Sequence, residues 1–290
     1  MTKVLLRAFA KVNYVLEVRG LREDGYHEVL TVMQSISLAD EVEIEHLREG
    51  FELVVEPENA EVGSAEENTA YRAQRMLEEL VGAKLSARLV LRKKIPAGAG
   101  LGGGSADAAA ALVGLNELFR LGLSSAELRE VGTKIGADVP FCLSGGTLLG
   151  EGIGEVLSPL PEPPPHYLVV AKPAAGASTT RIYHAYDRRP QEDGACVAPV
   201  VDALRVGDLG ALACSLGNDL APVTRSLVPE VRALEEELLR GGALGAVMSG
   251  SGTSVFGMFD FEEEARSAAS RLRAPFVSLC GPVGYGVEVL

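Results

Sequence analysis

Between residues 98 and 104, five of seven positions are glycine, in the run Pro96-Ala-Gly-Ala-Gly-Leu-Gly-Gly-Gly-Ser105. Each glycine inside a helix or strand costs about 0.5–1 kcal/mol relative to alanine, so a run this dense has to be a loop. The alanine-rich stretch Asp107 to Leu118 that follows has strong helix propensity. A loop without side chains at the mouth of a helix lets backbone N–H groups wrap phosphate oxygens, while the helix dipole stabilises their negative charge. A plain flexible turn is the alternative, and it accounts poorly for five glycines with Ser105 beside them.

Gly98 to Gly103 also satisfies G-x-G-x-x-G, which raises a dinucleotide-binding fold. In that fold a second strand ending in an acid follows the helix, whereas Leu123 to Asp138 reads as another helix and a turn. The sequence contains no G-x-x-x-x-G-K-[ST] and neither the H-R-D nor the D-F-G signature, so the common P-loop and protein-kinase arrangements are excluded. A second glycine-rich segment, Ser249-Gly-Ser-Gly-Thr253, reads alone as a turn; paired with the first loop it suggests a cleft with ligand on two sides.

The remaining sequence bounds the ligand. A formal net charge of −13 argues against nucleic acid, whose binding needs a surplus of Lys and Arg on one face. A small anion stays possible, because backbone N–H groups and a few cations can hold phosphate whatever the net charge. Cys142, Cys196, Cys214 and Cys280 form no C-x-x-C pair and have no clustered histidines, so buried free thiols are expected rather than zinc. No run approaches the roughly 18 apolar residues of a membrane span, and Lys3, Arg7 and Lys11 break up any leader-like core. A cytoplasmic protein without membrane contact, a monomer or weak homodimer, is expected.

Apolar alternation predicts strands over Lys3 to Val18, Glu41 to Ile44, Phe51 to Val55, Leu85 to Leu91, Tyr167 to Ala171, Ser254 to Phe259 and Gly286 to Leu290. Helical spacing marks Asn68 to Val81, Ser125 to Ile135, Val200 to Leu216, Pro229 to Arg240 and Phe261 to Leu272. Arg22 to His27 reads as an exposed loop. Strands and helices without strict alternation favour an α+β fold. Five prolines between Pro159 and Pro165 make the candidate linker, dividing the chain into domains 1–160 and 166–290.

For proton transfer the candidates are Asp138, in an apolar setting before Val139-Pro140-Phe141, and Lys11, in the otherwise apolar Ala8-Phe-Ala-Lys-Val12. Each charge would need a partner if buried, and each could supply the other's. The bland alternatives are a Lys on an exposed strand edge and an Asp in a turn. Tyr26-His27 could bind a ring or simply face solvent.

Taken in order, Ala10-Lys-Val-Asn13, Pro96 to Ala106 and Met248-Ser-Gly-Ser-Gly-Thr253 resemble the three motifs of the GHMP (galactokinase, homoserine, mevalonate, phosphomevalonate) kinase superfamily. Asp24-Gly-Tyr-His27, Gly136-Ala-Asp-Val-Pro140 and Asn218-Asp-Leu220 are similar to the branch whose substrate is 4-diphosphocytidyl-2-C-methyl-D-erythritol. The resemblance implies a first domain like domain 2 of ribosomal protein S5, a ferredoxin-like second domain, and ATP- and Mg²⁺-dependent phosphorylation of the substrate's 2-hydroxyl. It further implies Asp138 as general base with Lys11 orienting it, and Asn13, Tyr26, His27, Thr179 and Tyr183 on the substrate. On the nucleotide it implies Asn68, Lys93, Pro96, Gly98, Gly100, Leu101, Gly102, Gly103, Gly104, Ser105 and Ala106. The metal ligands stay open, because Ala106-Asp107 stands where these kinases often have Ser-Asn; Tyr183 replaces a frequent Phe. The other open readings are a superfamily kinase for mevalonate or homoserine, a dinucleotide oxidoreductase, and an RNA-binding module.

Overall fold

The computed structural model describes residues 2–57, 67–188 and 194–290. The first half contains β1 (Lys3–Leu21), β2 (His27–His46), β3 (Phe51–Glu56), α1 (Thr69–Val81), β4 (Ala87–Arg92), α2 (Gly103–Phe119), α3 (Ser125–Ile135), α4 (Val139–Ser144), β5 (Thr147–Glu151) and β6 (Val156–Pro159). The second contains β7 (Tyr167–Lys172), α5 (Thr179–Tyr186), α6 (Val197–Val206), α7 (Leu209–Cys214), β8 (Gly217–Asn218), α8 (Ala221–Leu227), α9 (Glu230–Arg240), β9 (Gly245–Met248), β10 (Val255–Phe259), α10 (Glu262–Arg271), β11 (Phe276–Cys280) and β12 (Val287–Val289).

Two sheets result. The first has the order β12-β1-β2-β4-β3, with β5 joining β2 farther along, β6 outside β5, and β8 beside the end of β1. The second has the order β11-β7-β10-β9, all antiparallel; renumbered within this sheet alone the order is 4-1-3-2. That is the α+β arrangement of a ferredoxin-like unit.

β1 explains how polar side chains come to be interior. Its first residues alternate, with Val4, Leu6 and Ala8 inward and Lys3 and Arg7 outward, as a half-buried antiparallel strand should. From Ala8 to Leu16 every residue is buried, because structure covers the strand on both faces. Lys11, Asn13 and Tyr14 therefore lie inside the protein. β1 and β2 form one long hairpin, closed at Arg22–Tyr26 by an Arg22 N–H bond to the Tyr26 carbonyl (2.7 Å), with Gly25 at φ +84°.

Helix α2 is buried on nearly every face, and its alanines let it lie close to the sheet. A Cβ at Gly114 would fall 2.6 Å from Ile44 Cδ1 and 2.8 Å from Leu6 Cδ1, so glycine sets the helix–sheet distance there. Ser124 and Glu127 form a full capping box on α3. The main apolar cluster runs through both sheets, joining Val12 and Tyr14 to Leu168, Val170 and Phe256.

Several expectations change. The last strand pairs with β1, not with the second sheet, through Leu6–Val289 to Ala8–Val287. The predicted helix over Val200 to Leu216 is two helices, parted where Gly207 turns left-handed (φ +71°) and Asp208 caps α7. Elements α4, α5, β5, β6, β9 and β11 carry too short a pattern to have been read. His27 starts β2 and is not part of the loop. Cys142 and Cys280 are buried, but Cys196 and Cys214 are exposed. Beyond the Pro-rich stretch, His166 is pinned: its Nδ1–H donates to the Pro164 carbonyl (2.7 Å), which leaves Nε2 to accept from Tyr14 Oη (3.1 Å). Burial keeps the His166 imidazole below its ordinary pKa, against the opposing effect of the Pro164 bond.

Leu6 is fully buried where β1, β2 and α2 meet. Leu6→Ala should cost about 2–5 kcal/mol, seen as a lower urea midpoint at unchanged m-value.

Candidate active site

A buried ammonium needs acceptors, and Lys11, only 3 % exposed, has them. Its Nζ donates to Asn13 Oδ1 (2.8 Å) and lies 3.5 Å from Asp138 Oδ2. Asn13 Nδ2 donates to Thr31 Oγ1 (2.8 Å), which donates to the Val15 carbonyl (2.7 Å). The chain of bonds ends on backbone, so the amide of Asn13 can face only one way and the ammonium is held in place. Of the bland alternatives, the exposed strand-edge Lys is ruled out, since Lys11 is buried and its backbone is bonded to β2 on one side and to Leu101 on the other.

Asp138 arrives from the other side. It stands between α3 and α4, at the head of α4, but its side chain caps no helix N–H. One third exposed, it faces Lys11 and the open space beyond. Burial, with Asp138 and Tyr186 adding to it, pushes the Tyr183 phenol up to about 12, so that ring stays neutral beside the carboxylate.

The glycine-rich loop leads into α2 with Gly102 as a left-handed N-cap (φ +71°) that offers no side-chain acceptor. The first N–H groups of α2 therefore have no capping side chain, as an anion site requires. The loop is stitched on two sides. Lys11 N–H donates to the Leu101 carbonyl (3.0 Å), and on the far side Ser249 Oγ donates to the Gly100 carbonyl (2.9 Å) and Ser254 N–H to the Ala99 carbonyl (3.1 Å). Gly100 has φ +75°, and a Cβ there would collide with the Ser249 carbonyl. Asn218 braces the second glycine segment, its Nδ2 donating to the Met248 and Gly250 carbonyls, each at 2.8 Å.

Two cavities meet at this loop. The larger, about 1020 Å³, brings together Lys11, Asn13, Tyr26, His27, Asp138, Thr179 and Tyr183 with Gly98, Gly100, Gly102 and Ser105. The smaller, about 340 Å³, is lined by Asn68, Lys93, Pro96, Leu101, Gly103 and Gly104, and shares Gly98, Gly100, Gly102 and Ser105. Ala106 lines neither, being wholly buried in α2. Two residues are already engaged: Asn68 Oδ1 accepts from Ala70 N–H (2.9 Å) as the N-cap of α1, and Lys93 Nζ bridges Asp40 and Asp107, 2.5 Å from each.

That bridge is strained electrically. Burial raises the Asp107 carboxyl to about 7 against the pull of Lys93, with Asp40 adding to the rise. The Lys93 ammonium, which burial alone would lower, is raised by Asp107 and Asp40. Asp107 Oδ1 is buried without a hydrogen-bond partner. In the same large cavity, His27 and Tyr183 stack on each other, with ring centroids 4.7 Å apart and planes 29° off parallel, while Tyr26 stands 61 % exposed. Thr179 Oγ1 lies 2.9 Å from Ser251 Oγ.

The GHMP kinases N terminal domain model matches residues 68–146, and the GHMP kinases C terminal model matches residues 200–278. The chain is a GHMP kinase. Within that family it belongs with the 4-diphosphocytidyl-2-C-methyl-D-erythritol kinases. Those of Moorella thermoacetica and Pelotomaculum thermopropionicum are each 46% identical to it, over 280 residues (95% of this chain, 97% of the relative) and 267 residues (92% of each). A crystal structure of 4-(cytidine 5'-diphospho)-2C-methyl-D-erythritol kinase superposes with a TM-score of 0.82 at 36% identity, covering 97% of this chain and 99% of that one. Homoserine kinase from Cytophaga hutchinsonii, at 20% identity and a TM-score of 0.78 over 100% of this chain and 98% of its own, shares the fold. Family and sheet topology together overturn the dinucleotide reading of Gly98 to Gly103. No helix among the described residues of this kinase is long and apolar enough to cross a membrane.

Thr31, Asp40 and Asp187 were not singled out from the sequence. Thr31 and Asp40 look like ordinary polar positions on a strand, and Asp187 follows a helix too short to read; only their partners across the fold mark them.

Asp107 also makes a pH prediction. A carboxyl raised in the folded state contributes stability that is complete below its unfolded value, near 4, and is lost as pH rises through about 7. Urea titrations from pH 4 to 8 should show the wild type losing stability relative to Asp107→Asn, by at most about 1.4 kcal/mol per pH unit. A flat difference would mean that Lys93 keeps Asp107 ionised.

Proposed function

We propose that this kinase transfers the γ-phosphoryl group of ATP to the 2-hydroxyl of 4-diphosphocytidyl-2-C-methyl-D-erythritol, a step of the non-mevalonate route to isoprenoid precursors. The observation that carries the reading is the Lys11–Asp138 pair at 3.5 Å, set between a backbone phosphate cradle and a cavity walled in part by Tyr26, His27 and Tyr183. The relatives that carry this name support the substrate.

In this mechanism the substrate hydroxyl gives its proton to Asp138 as its oxygen bonds to the γ-phosphorus. The bond from that phosphorus to the β,γ-bridging oxygen breaks, and ADP leaves. Lys11 has three N–H donors. One goes to Asn13 and one faces Asp138, so the third is free for the reacting oxygen or the phosphoryl group. Asn13 holds the ammonium in register. The N–H groups from Gly98 to Ser105 cradle the phosphates; phosphoryl transfer needs such positioning and charge neutralisation more than covalent help. Asn68, Lys93 and Pro96, with the small cavity, form the adenine side, while Tyr26, His27, Tyr183 and Thr179 hold the cytidine end.

Among the described residues no group of three or more His, Cys, Asp or Glu is placed to hold a metal ion. Mg²⁺ takes most of its ligands from phosphate and water and needs only one or two protein oxygens. The hydroxyl of Ser105, on the loop itself, is such an oxygen. When bound, the ion would neutralise charge on the β- and γ-phosphates.

ATP consumption with Mg²⁺ should occur with the cytidyl substrate and not with mevalonate or homoserine; the reverse pattern would keep the family chemistry and discard the cytidine pocket. Asp138→Asn and Lys11→Ala should each lower kcat by about 10²–10⁴-fold; near-normal turnover by Asp138→Asn would remove it as the base. Tyr26→Ala and Tyr183→Ala should mainly raise KM for the cytidyl substrate, because they hold its non-reacting end; an unchanged KM in both would move the cytosine elsewhere.

A further inference from the structure

In the wall of the large cavity, His27 is joined to a carboxylate that the mechanism above does not use. His27 Nε2 lies 2.6 Å from Asp187 Oδ1, just past the end of α5, and the ring is clamped against Tyr183. The imidazole is nearly buried, whereas the carboxylate is well exposed. An aspartate carboxylate only accepts hydrogen bonds, so the proton of this bond sits on Nε2. In a neutral imidazole Nδ1 then carries a lone pair and can only accept. No described residue bonds Nδ1, and His27 lines the cavity.

A cytosine linked to its sugar through N1 has one N–H donor, the 4-amino group. An acceptor that faces the base therefore has one group to meet. Uracil carries a carbonyl oxygen at that position, and two acceptors facing each other leave both unpaired, which costs about 1–3 kcal/mol for each buried group.

We propose that Asp187 is a positioning residue that sets base choice: by holding His27 with its proton on Nε2, it makes Nδ1 an acceptor for the 4-amino group of cytosine and turns uracil away. The inference rests on the cytidine placement proposed above. The alternative role is a mechanical strap tying the β1–β2 hairpin to α5, which would affect both bases alike. Tyr183 and Tyr186, 4.7 and 6.4 Å from the His27 ring, are the other titratable groups against it, and burial raises both phenols, so they stay neutral.

The test is calorimetric binding of cytidine 5'-diphosphate and uridine 5'-diphosphate to the wild type, Asp187→Asn and Asp187→Glu. ADP binding in the same samples reports on the fold and the phosphate loop. The wild type should prefer the cytidine nucleotide by about 10²-fold or more. In Asp187→Asn the introduced amide can donate to Nε2 and move the ring proton to Nδ1, as happens when an aspartate behind a catalytic histidine becomes asparagine. Asp187→Asn should therefore lose at least about tenfold of the preference, and Asp187→Glu should keep it. Imidazole ¹⁵N NMR, simple in a chain with four histidines, should show a lone pair on His27 Nδ1 in the wild type and a proton there in Asp187→Asn. Unchanged preference in Asp187→Asn, equal weakening of both nucleotides, or a protonated Nδ1 in the wild type would overturn the proposal while leaving the cytidine pocket standing. A wild type without preference would overturn the pocket and the proposal with it.

Discussion

The site depends on one buried positive charge. Lys11 lies where β1 is covered on both faces, and an ammonium there is tolerable only with acceptors close by. Asn13 comes from the same strand, two residues on and so on the same side; Thr31 comes from the neighbouring strand, and Asp138 from the turn between α3 and α4. The requirement to satisfy one cation thus ties the hairpin to the helical layer at the place where the two cavities meet.

The two glycine-rich segments serve the same junction from opposite sides. The loop from Gly98 to Gly102 cannot be held by its own side chains, so its shape comes from bonds to β1 and to the Ser249 segment. Glycine is required at position 100 because the second segment's backbone occupies the space a Cβ would take. A loop held this way keeps its shape only when both halves of the chain are docked. The continuous apolar cluster through both sheets keeps them docked.

Beneath the cradle, Lys93 between Asp40 and Asp107 shows the opposite balance. Two carboxylates share one ammonium with almost no solvent, and desolvation outweighs attraction at Asp107. Such an arrangement adds little to stability compared with an apolar core of similar volume. It does fix the exit of β4, since Asp40 Oδ1 also takes the backbone N–H of Lys94 and Ile95, at 2.5 and 2.8 Å. The family resemblance implies Lys93 and Asn68 near the nucleotide; both line the small cavity, but with side chains already committed to an ion bridge and a helix cap.

Local composition determined a good deal by itself. Glycine density from Gly98 and alanine density after Ser105 announce a loop and then a helix, though the helix takes in Gly103 and Gly104 as its first residues, and alternation in β1 announces a strand, because each depends only on near neighbours in the chain. The three kinase motifs were legible through their resemblance to the GHMP family, which carries those residue types in that order. Other features depended on partners far away in sequence. Whether Lys11 is an exposed edge residue or the centre of a site turns on what covers the second face of β1. Where β12 belongs is decided by the free edge of β1, and the short elements α4, α5, β5 and β6 hold their shape only through the layers they touch. Asp187 is an unremarkable acid until the fold brings His27 from 160 residues away to 2.6 Å. Segment types and chemically capable residues can be read along the chain; which charges meet cannot, since burial and pairing are properties of the packed chain and not of any stretch of it.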